Sequence, residues 1–327
     1  MLRKGFVGLL FMSLMATVLP ASAALLGTWD LRGSGQKDMV YREGNVLRVI
    51  QPGGGQRDYS FGAVSWALVQ VADTNGSRGM EMIVRAGNDL VIISHANTSQ
   101  RTYSVGNFSW AVMEVVNLDN KPGNEVLLSI GNGIRVINDT TQSHNDLNFT
   151  HNGTWALFAI ADLAGTGLEL VLNMGNGVKL INPRTMAYRD FTFPGFTSIF
   201  GVAQLDAKAG LEVIGRTQSD VYVIGGGVSK ASLRNYTGSN SSNWAIYGRT
   251  ADTDGKAGNE IILTMPGAVR IIRHASGGSR DYQVGSANFV IDSVSNIDGV
   301  PGEDILVRST SGQIYLINDR NGSVTQQ

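Results

Sequence analysis

An all-β fold of seven small, similar sheets is predicted by three features of the 327-residue sequence. The chain repeats itself with a period of roughly 44 residues, the scale of known repeat units. Each repeat carries four short strand signals. The composition, with 41 glycines and 16 % charged residues, suits turns and strands better than helices. Four strands in a unit of about 40–45 residues is the arithmetic of a propeller blade, and seven units make a seven-bladed β-propeller.

The repeat is plainest in the phrases WALVQVADTNGSRGMEMIV from Trp66, WAVMEVVNLDNKPGNEVLL from Trp110, WALFAIADLAGTGLELVL from Trp155 and WAIYGRTADTDGKAGNEIIL from Trp244. Ile199 and Phe289 open two more copies, and the stretch from Ala24 supplies the seventh. An acidic residue closes each loop and sets the period: Asp38, Glu81, Glu125, Glu169, Glu212, Glu260 and Asp304, in steps of 43, 44, 44, 43, 48 and 44. The long step contains the polar run 238–243, read as a loop insertion. In the second unit the strands are expected at 66–72, 81–85, 90–94 and 101–105. These runs are short, β-branched and bounded by Gly and Asn, and no window has a helical period. One such unit cannot bury both faces of its sheet, so its stability must come from its neighbours. The first and last units both have four local strand candidates, the last at 322–327, so closure by face packing is expected, without a strand borrowed across the seam. An open β-solenoid uses much shorter repeats.

The first residues are set apart from this fold. Arg3 and Lys4 precede an apolar run over 6–19, and Ala21-Ser22-Ala23 is a small-residue cleavage pattern. This reads as a signal peptide over 1–23, removed after Ala23, leaving a single domain over 24–327. The run is shorter than the ~20 residues of a spanning helix, so export to a periplasm or the exterior is expected, with no integral membrane segment after cleavage. There is no cysteine, hence no disulfide framework. Setting aside Arg3 and Lys4 leaves 24 Lys+Arg against 27 Asp+Glu, a net charge of −3. That gives no basic footprint for nucleic acid.

The apolar strand, the Asp-x-[Asp/Asn]-Gly loop and the acidic residue that follows it resemble the FG-GAP/VCBS repeats of integrin alpha heads and secreted bacterial proteins. The resemblance spans essentially all of 24–327. It implies a propeller used for binding, often with calcium in the blade loops, and some relatives are lectins. The Gly-His and Trp-Asp signatures of tryptophan–aspartate repeat propellers are missing. In the implied calcium loop, oxygen ligands stand at positions 1, 3, 5 and 9. Asp73, Asn75, Ser77 and Glu81 offer an oxygen at every place. Asp252, Asp254 and Glu260 do so apart from Lys256, a cation at the fifth place. Lys121 interrupts the set of Asn117, Asp119 and Glu125, and Val300 that of Asn296, Asp298 and Asp304. The loops read as 162–169 and 206–212 are shorter, and the first, over 30–38, has Arg32 in third place. Calcium requires six to eight oxygens. The other reading is that Asp and Asn accept backbone N–H groups in Asx-turns, Gly supplies positive φ, and the lysines stand in for a cation. Both readings stand at this level.

Trp66, Trp110, Trp155 and Trp244 open four repeats, each followed by alanine. Large–small alternation is what tapered blades need for packing. The same tryptophans are the candidate ligand-binding residues, as platforms for sugar rings, with Tyr59, Tyr103 and Tyr282 close to the preceding turns. No catalytic constellation is present. His95, His144, His151 and His274 stand at unrelated repeat positions, and His144, Asp146 and His151 share one polar loop. Hydrolase elbows, phosphate loops and zinc-helix motifs are absent, and Gly225-Gly226-Gly227 is a hairpin tip. A non-enzymatic binding module for glycan or protein is therefore expected, its similar blades suited to multivalency. The alternatives are an envelope scaffold and a hydrolase or lyase with an axial site.

Overall fold

The computed structural model describes residues 23–149, 154–238, 243–285 and 288–327. Residues 1–22, within the stretch read as a signal peptide, His151 and the middle of the polar run 238–243 lie outside the described residues. The chain forms a seven-bladed β-propeller: seven antiparallel four-stranded sheets, each built from four consecutive strands. No helix occurs among the described residues. The second blade comprises Trp66–Ala72, Glu81–Ala86, Asp89–Ser94 and Ser99–Ser104, within two residues of the sequence reading. The first blade, from Ala24–Trp29 to Gln56–Ser60, and the seventh, from Phe289–Ser295 to Ser323–Gln326, are both filled from local sequence.

In the second blade the two middle strands are buried almost throughout, while the fourth is mostly exposed. A strand covered on both faces reads as an unbroken apolar run, which is what EMIVRA and DLVIIS are. Because successive side chains point to opposite faces, each middle strand feeds two cores. Met82 and Val84 join Leu47, Val49, Tyr59 and Trp66 on one face. Ile83, Leu90 and Ile92 join Tyr103, Trp110, Val126 and Leu128 on the other. The first strands carry a β-bulge in blades one to five and seven, a device that adds local twist. Blade six differs. It has one more residue between Trp244 and Asp252 than blade two has between Trp66 and Asp73. Its first strand is cut to Ala245–Ile246, with a lone bridge from Ala251 to Glu260.

The repeated loop clips neighbouring blades together. The residue before five of the closing acids donates its backbone N–H to the carbonyl that opens the preceding blade's loop. The pairs are Met80 to Asp30 at 3.3 Å, Asn124 to Asp73 at 2.8 Å, Leu211 to Asp162 at 2.8 Å, Asn259 to Gln204 at 2.9 Å and Glu303 to Asp252 at 2.6 Å. The fifth loop thus opens at Gln204 and not at Asp206, so it is no shorter than the second. Sequence matching on the acid missed it because Gln204 is not acidic; the backbone position is what recurs.

The clip explains its glycine. Gly79, Gly210 and Gly258 hold φ of +100°, +104° and +107°, and a Cβ there would stand 2.4, 2.4 and 2.7 Å from the carbonyl oxygens of Leu31, Leu163 and Leu205. Gly210→Ala is expected to lose roughly 2–3 kcal/mol in urea unfolding, from backbone strain plus the displaced clip. Gly248→Ala, where φ is ordinary and nothing lies within 4 Å, should leave the midpoint unchanged.

Candidate functional site

The loop acids first satisfy their own loops. Asp73 Oδ1 accepts from the N–H of Asn75 at 3.3 Å and of Gly76 at 2.7 Å, and Asn75 Oδ1 accepts from Ser77 N–H at 2.7 Å. Asp252 Oδ1 accepts from Gly255 N–H at 2.7 Å, and Asp254 Oδ1 from Lys256 N–H at 3.0 Å. This is Asx-turn geometry. The buried closing acids staple the loop start. Glu81 Oε2 accepts from Thr74 N–H at 2.9 Å, Glu212 Oε2 from Leu205 N–H at 2.7 Å, and Glu260 Oε2 from Thr253 N–H at 2.7 Å. Burial pushes the Glu81 and Glu169 carboxyls up, and those of Glu212 and Glu260 up to about 7; for Glu260 the neighbouring Asp254 and Asp252 add to the rise.

Asp252, Asp254 and Glu260 each place one carboxylate oxygen within 4.8 Å of the others. A cation fits them only in part. Lys256 Nζ already sits 3.3 Å from Asp254 Oδ2, and Arg273 Nε lies 3.8 Å from the same oxygen. In the second-blade set of Asp73, Asn75, Ser77 and Glu81 the fifth place holds a neutral hydroxyl. Of the loop trio read around His144, Asp146 is held by Arg135 through two contacts of 2.7 Å, and His151 lies outside the described residues.

The tryptophans are placed for packing. Trp66, Trp110 and Trp244 are 2, 3 and 4 % exposed, and an arginine from the preceding blade covers each ring. Arg42, Arg85 and Arg216 stand 4.9, 4.6 and 4.2 Å from the respective ring centroids. The Arg85 guanidinium also donates to Trp110 O at 3.0 Å, and that of Arg216 to Trp244 O at 2.6 Å. The indole N–H of Trp66 donates to Gly44 O and that of Trp244 to Gln218 O. This corrects the reading of these three as open sugar platforms, since a covered face cannot receive a ring. Trp155 is half-buried, with Phe149 edge-on at 5.2 Å.

The covering arginine is absent from this position in the third, fourth and sixth blades, where Ser129, Asn173 and Thr264 stand. Arg85 pairs with Ala67 across its sheet; the equivalent partner of Ala245 is Thr264. Here the side chain ends in a hydroxyl, which donates to Ala245 O at 3.4 Å. A cleft of about 440 Å³ opens where the guanidinium would lie, lined by Asn243, Trp244, Ala245, Thr264, Met265, Pro266, Asn288 and Phe289. Phe289, half-buried, takes the place of the tryptophan. Sequence reading missed this site because its signal is a residue the repeat lacks. Aligning 42, 85, 129, 173, 216, 264 and 308 shows Arg, Arg, Ser, Asn, Arg, Thr and Arg.

No protein-family model matches the chain, and no curated protein matches it. Solved structures of similar architecture include an Agrocybe aegerita lectin that recognises non-reducing terminal N-acetylglucosamine, at 12 % identity and TM-score 0.37, over 90 % of each chain. A catalytically inactive virginiamycin B lyase from Staphylococcus aureus, with quinupristin, is similar at 13 % identity and TM-score 0.32, over 89 % of this chain and 97 % of that one. The C-terminal WD40 domain of Sif2 is similar at 10 % identity and TM-score 0.34, over 91 % and 84 %. Likeness of this degree carries nothing about ligand or activity.

Proposed function

We propose that the chain is an exported, non-catalytic binding module that recognises glycan or protein through the cleft between its sixth and seventh blades. The observation that carries this reading is the lining itself. It has two aromatic rings, two side-chain amides and no ionisable group. A few placed polar groups among apolar ones suit recognition, whereas acid–base chemistry needs a titratable group within reach of the substrate. The test is binding by the purified 24–327 protein to a glycan array, with a parallel pull-down from envelope extract. Binding that weakens on Phe289→Ala, with the melting temperature kept, supports the reading. Turnover of a glycan, with binding unaffected by Phe289→Ala, removes it in favour of a hydrolase or lyase elsewhere.

Calcium belongs to the same proposal as a support for the loops. Asp252, Asp254 and Glu260, or Asp73, Asn75, Ser77 and Glu81, would hold it, each giving up N–H or lysine contacts to do so. The expected result is a higher melting temperature on adding calcium at pH 8, abolished by Asp252→Asn with Asp73→Asn. A melting temperature indifferent to calcium removes the metal.

A further inference from the structure

The six–seven cleft is a berth that the protein fills elsewhere with its own arginine. Its lining matches, position by position, the residues around the Arg85 guanidinium. Met265 and Pro266 stand where Ala86 and Gly87 do, Phe289 stands where Trp110 does, and Thr264 replaces the arginine. The internal examples show what that space accepts. A planar cation lies 4.2–4.9 Å from an aromatic centroid, and two of the three donate to the main-chain carbonyl of that aromatic residue. No carboxylate is hydrogen-bonded to Arg85 or Arg216, so ring and carbonyl suffice. Stacking on a ring face and a fork of donors are properties of guanidinium that an ammonium shares only in part.

We propose that the cleft binds the guanidinium of an arginine presented by a polypeptide partner, stacked on Phe289 with its donors on the Phe289 carbonyl. This rests on the binding-module reading and names its ligand class. The net charge of −3 over 24–327 favours approach by a basic partner. Three equivalent berths, at Trp66, Trp110 and Trp244, are closed by resident arginines; Ser129 and Asn173 hold the same register position in the third and fourth blades.

The test uses capped pentapeptides of glycine with a central arginine, citrulline or lysine, and a neutral methyl glucoside. Each is titrated into the 24–327 protein by NMR, following the Trp244 indole and the Phe289 amide. The arginine peptide should shift the Trp244 indole and Phe289 amide resonances saturably, and the citrulline peptide should bind roughly fivefold more weakly, for loss of the cation–ring attraction. Thr264→Arg should abolish binding without lowering the melting temperature, because the new side chain occupies the berth as Arg85 does. If that variant fails to fold, Phe289→Leu serves, with weaker arginine binding expected in a folded protein. Arg216→Thr should open a second site. Equal binding of the arginine and citrulline peptides, or binding undiminished in Thr264→Arg or Phe289→Leu, overturns the proposal. Binding of the glucoside at these resonances, with none of the arginine peptide, overturns it while leaving the module reading intact. Silence of the cleft toward every probe and every arrayed glycan overturns both.

Discussion

Asp139→Ala is expected to destabilise the protein by about 3–5 kcal/mol, the cost of leaving a buried partner charge uncompensated. Asp139 is 1 % exposed and joins two blades. From blade two, Arg101 donates to both carboxylate oxygens, Tyr103 OH donates to Oδ1 at 2.7 Å, and Thr74 Oγ1 donates to Oδ2 at 3.0 Å. Burial, followed by the Asp139 hydrogen bond, raises the Tyr103 phenol further above its ordinary value, so the hydroxyl stays a donor. Alanine would strip three donors of their acceptor at once. Tyr103→Phe removes one neutral donor and should lose only about 1 kcal/mol. Denaturant unfolding of both variants and of Arg101→Ala/Asp139→Ala checks this. The double variant should lose much less than the sum of the singles, because the members act as one network. Simple additivity would show that the blades are joined by apolar packing alone.

The same junction recurs, and the chain covaries with itself around it. Tyr59 OH meets His95 Nδ1 at 2.7 Å, Tyr236 OH meets His274 Nδ1 at 2.9 Å, and Tyr282 OH donates to Asp319 Oδ1. At the corresponding places Leu147 goes with Pro183 and Phe191 with Gly226. Where the fourth strand offers a hydroxyl, the next blade supplies a side chain to receive it; where it offers none, the next blade has none to satisfy. A buried hydroxyl without a partner is costly, so the two positions change together.

The architecture was legible because blade period and strand period are both local. Glu81 to Glu125 counts the blade, and short β-branched runs such as EMIVR, bounded by turn residues, mark the strands. That the first and last blades are each complete from local sequence was legible for the same reason. The site was not. His95 and His274, read as standing at unrelated repeat positions, in fact both follow the third strand of their blade, and their partners, Tyr59 and Tyr236, belong to the preceding repeat. The tryptophans stood as packing residues or sugar platforms, and only the geometry shows Arg42, Arg85 and Arg216 lying over three of them. An arginine that covers the next blade's ring is some 24–28 residues away in sequence, outside any window that periodicity reads. The loop acids were visible, but whether they hold one another's N–H groups depends on φ values such as that of Gly76, +68°, which the sequence only permits.

Stability should be greatest near pH ~5 and decline toward pH 8 as the buried loop acids ionise. Glu212 and Glu260 have folded values of about 7 against an ordinary 4.5. Below 4.5 both folded and unfolded chains carry the proton, and the contribution to stability is complete. Between 4.5 and 7 the folded state binds a proton that the unfolded state has released, so stability falls as pH rises. Above 7 the contribution is gone. The 2.5-unit gap corresponds to about 3 kcal/mol for each group. His274 acts in the opposite sense: burial lowers it from 6.5 to about 4, so its contribution is present above 6.5 and fades as pH falls through 4. Over 4.5–6.5 the lowered His274 and His95 oppose four raised carboxyls, Glu81, Glu169, Glu212 and Glu260, so the net trend is a decline as pH rises. Chemical unfolding at pH 5, 6.5 and 8 measures this directly. Glu212→Gln keeps an acceptor for the Leu205 N–H and cannot ionise, so it should flatten its share of the decline and exceed the wild type at pH 8. Glu260→Gln should do the same without calcium. With calcium at pH 8 the two variants part company if the cation sits on Asp252 and Asp254, since only Glu260→Gln then removes a ligand and loses its advantage. A wild-type profile that is level from pH 5 to 8, or a Glu212→Gln protein weaker than wild type at pH 8, would mean these carboxylates are ionised and satisfied in place, and the staple would then be an ionic one.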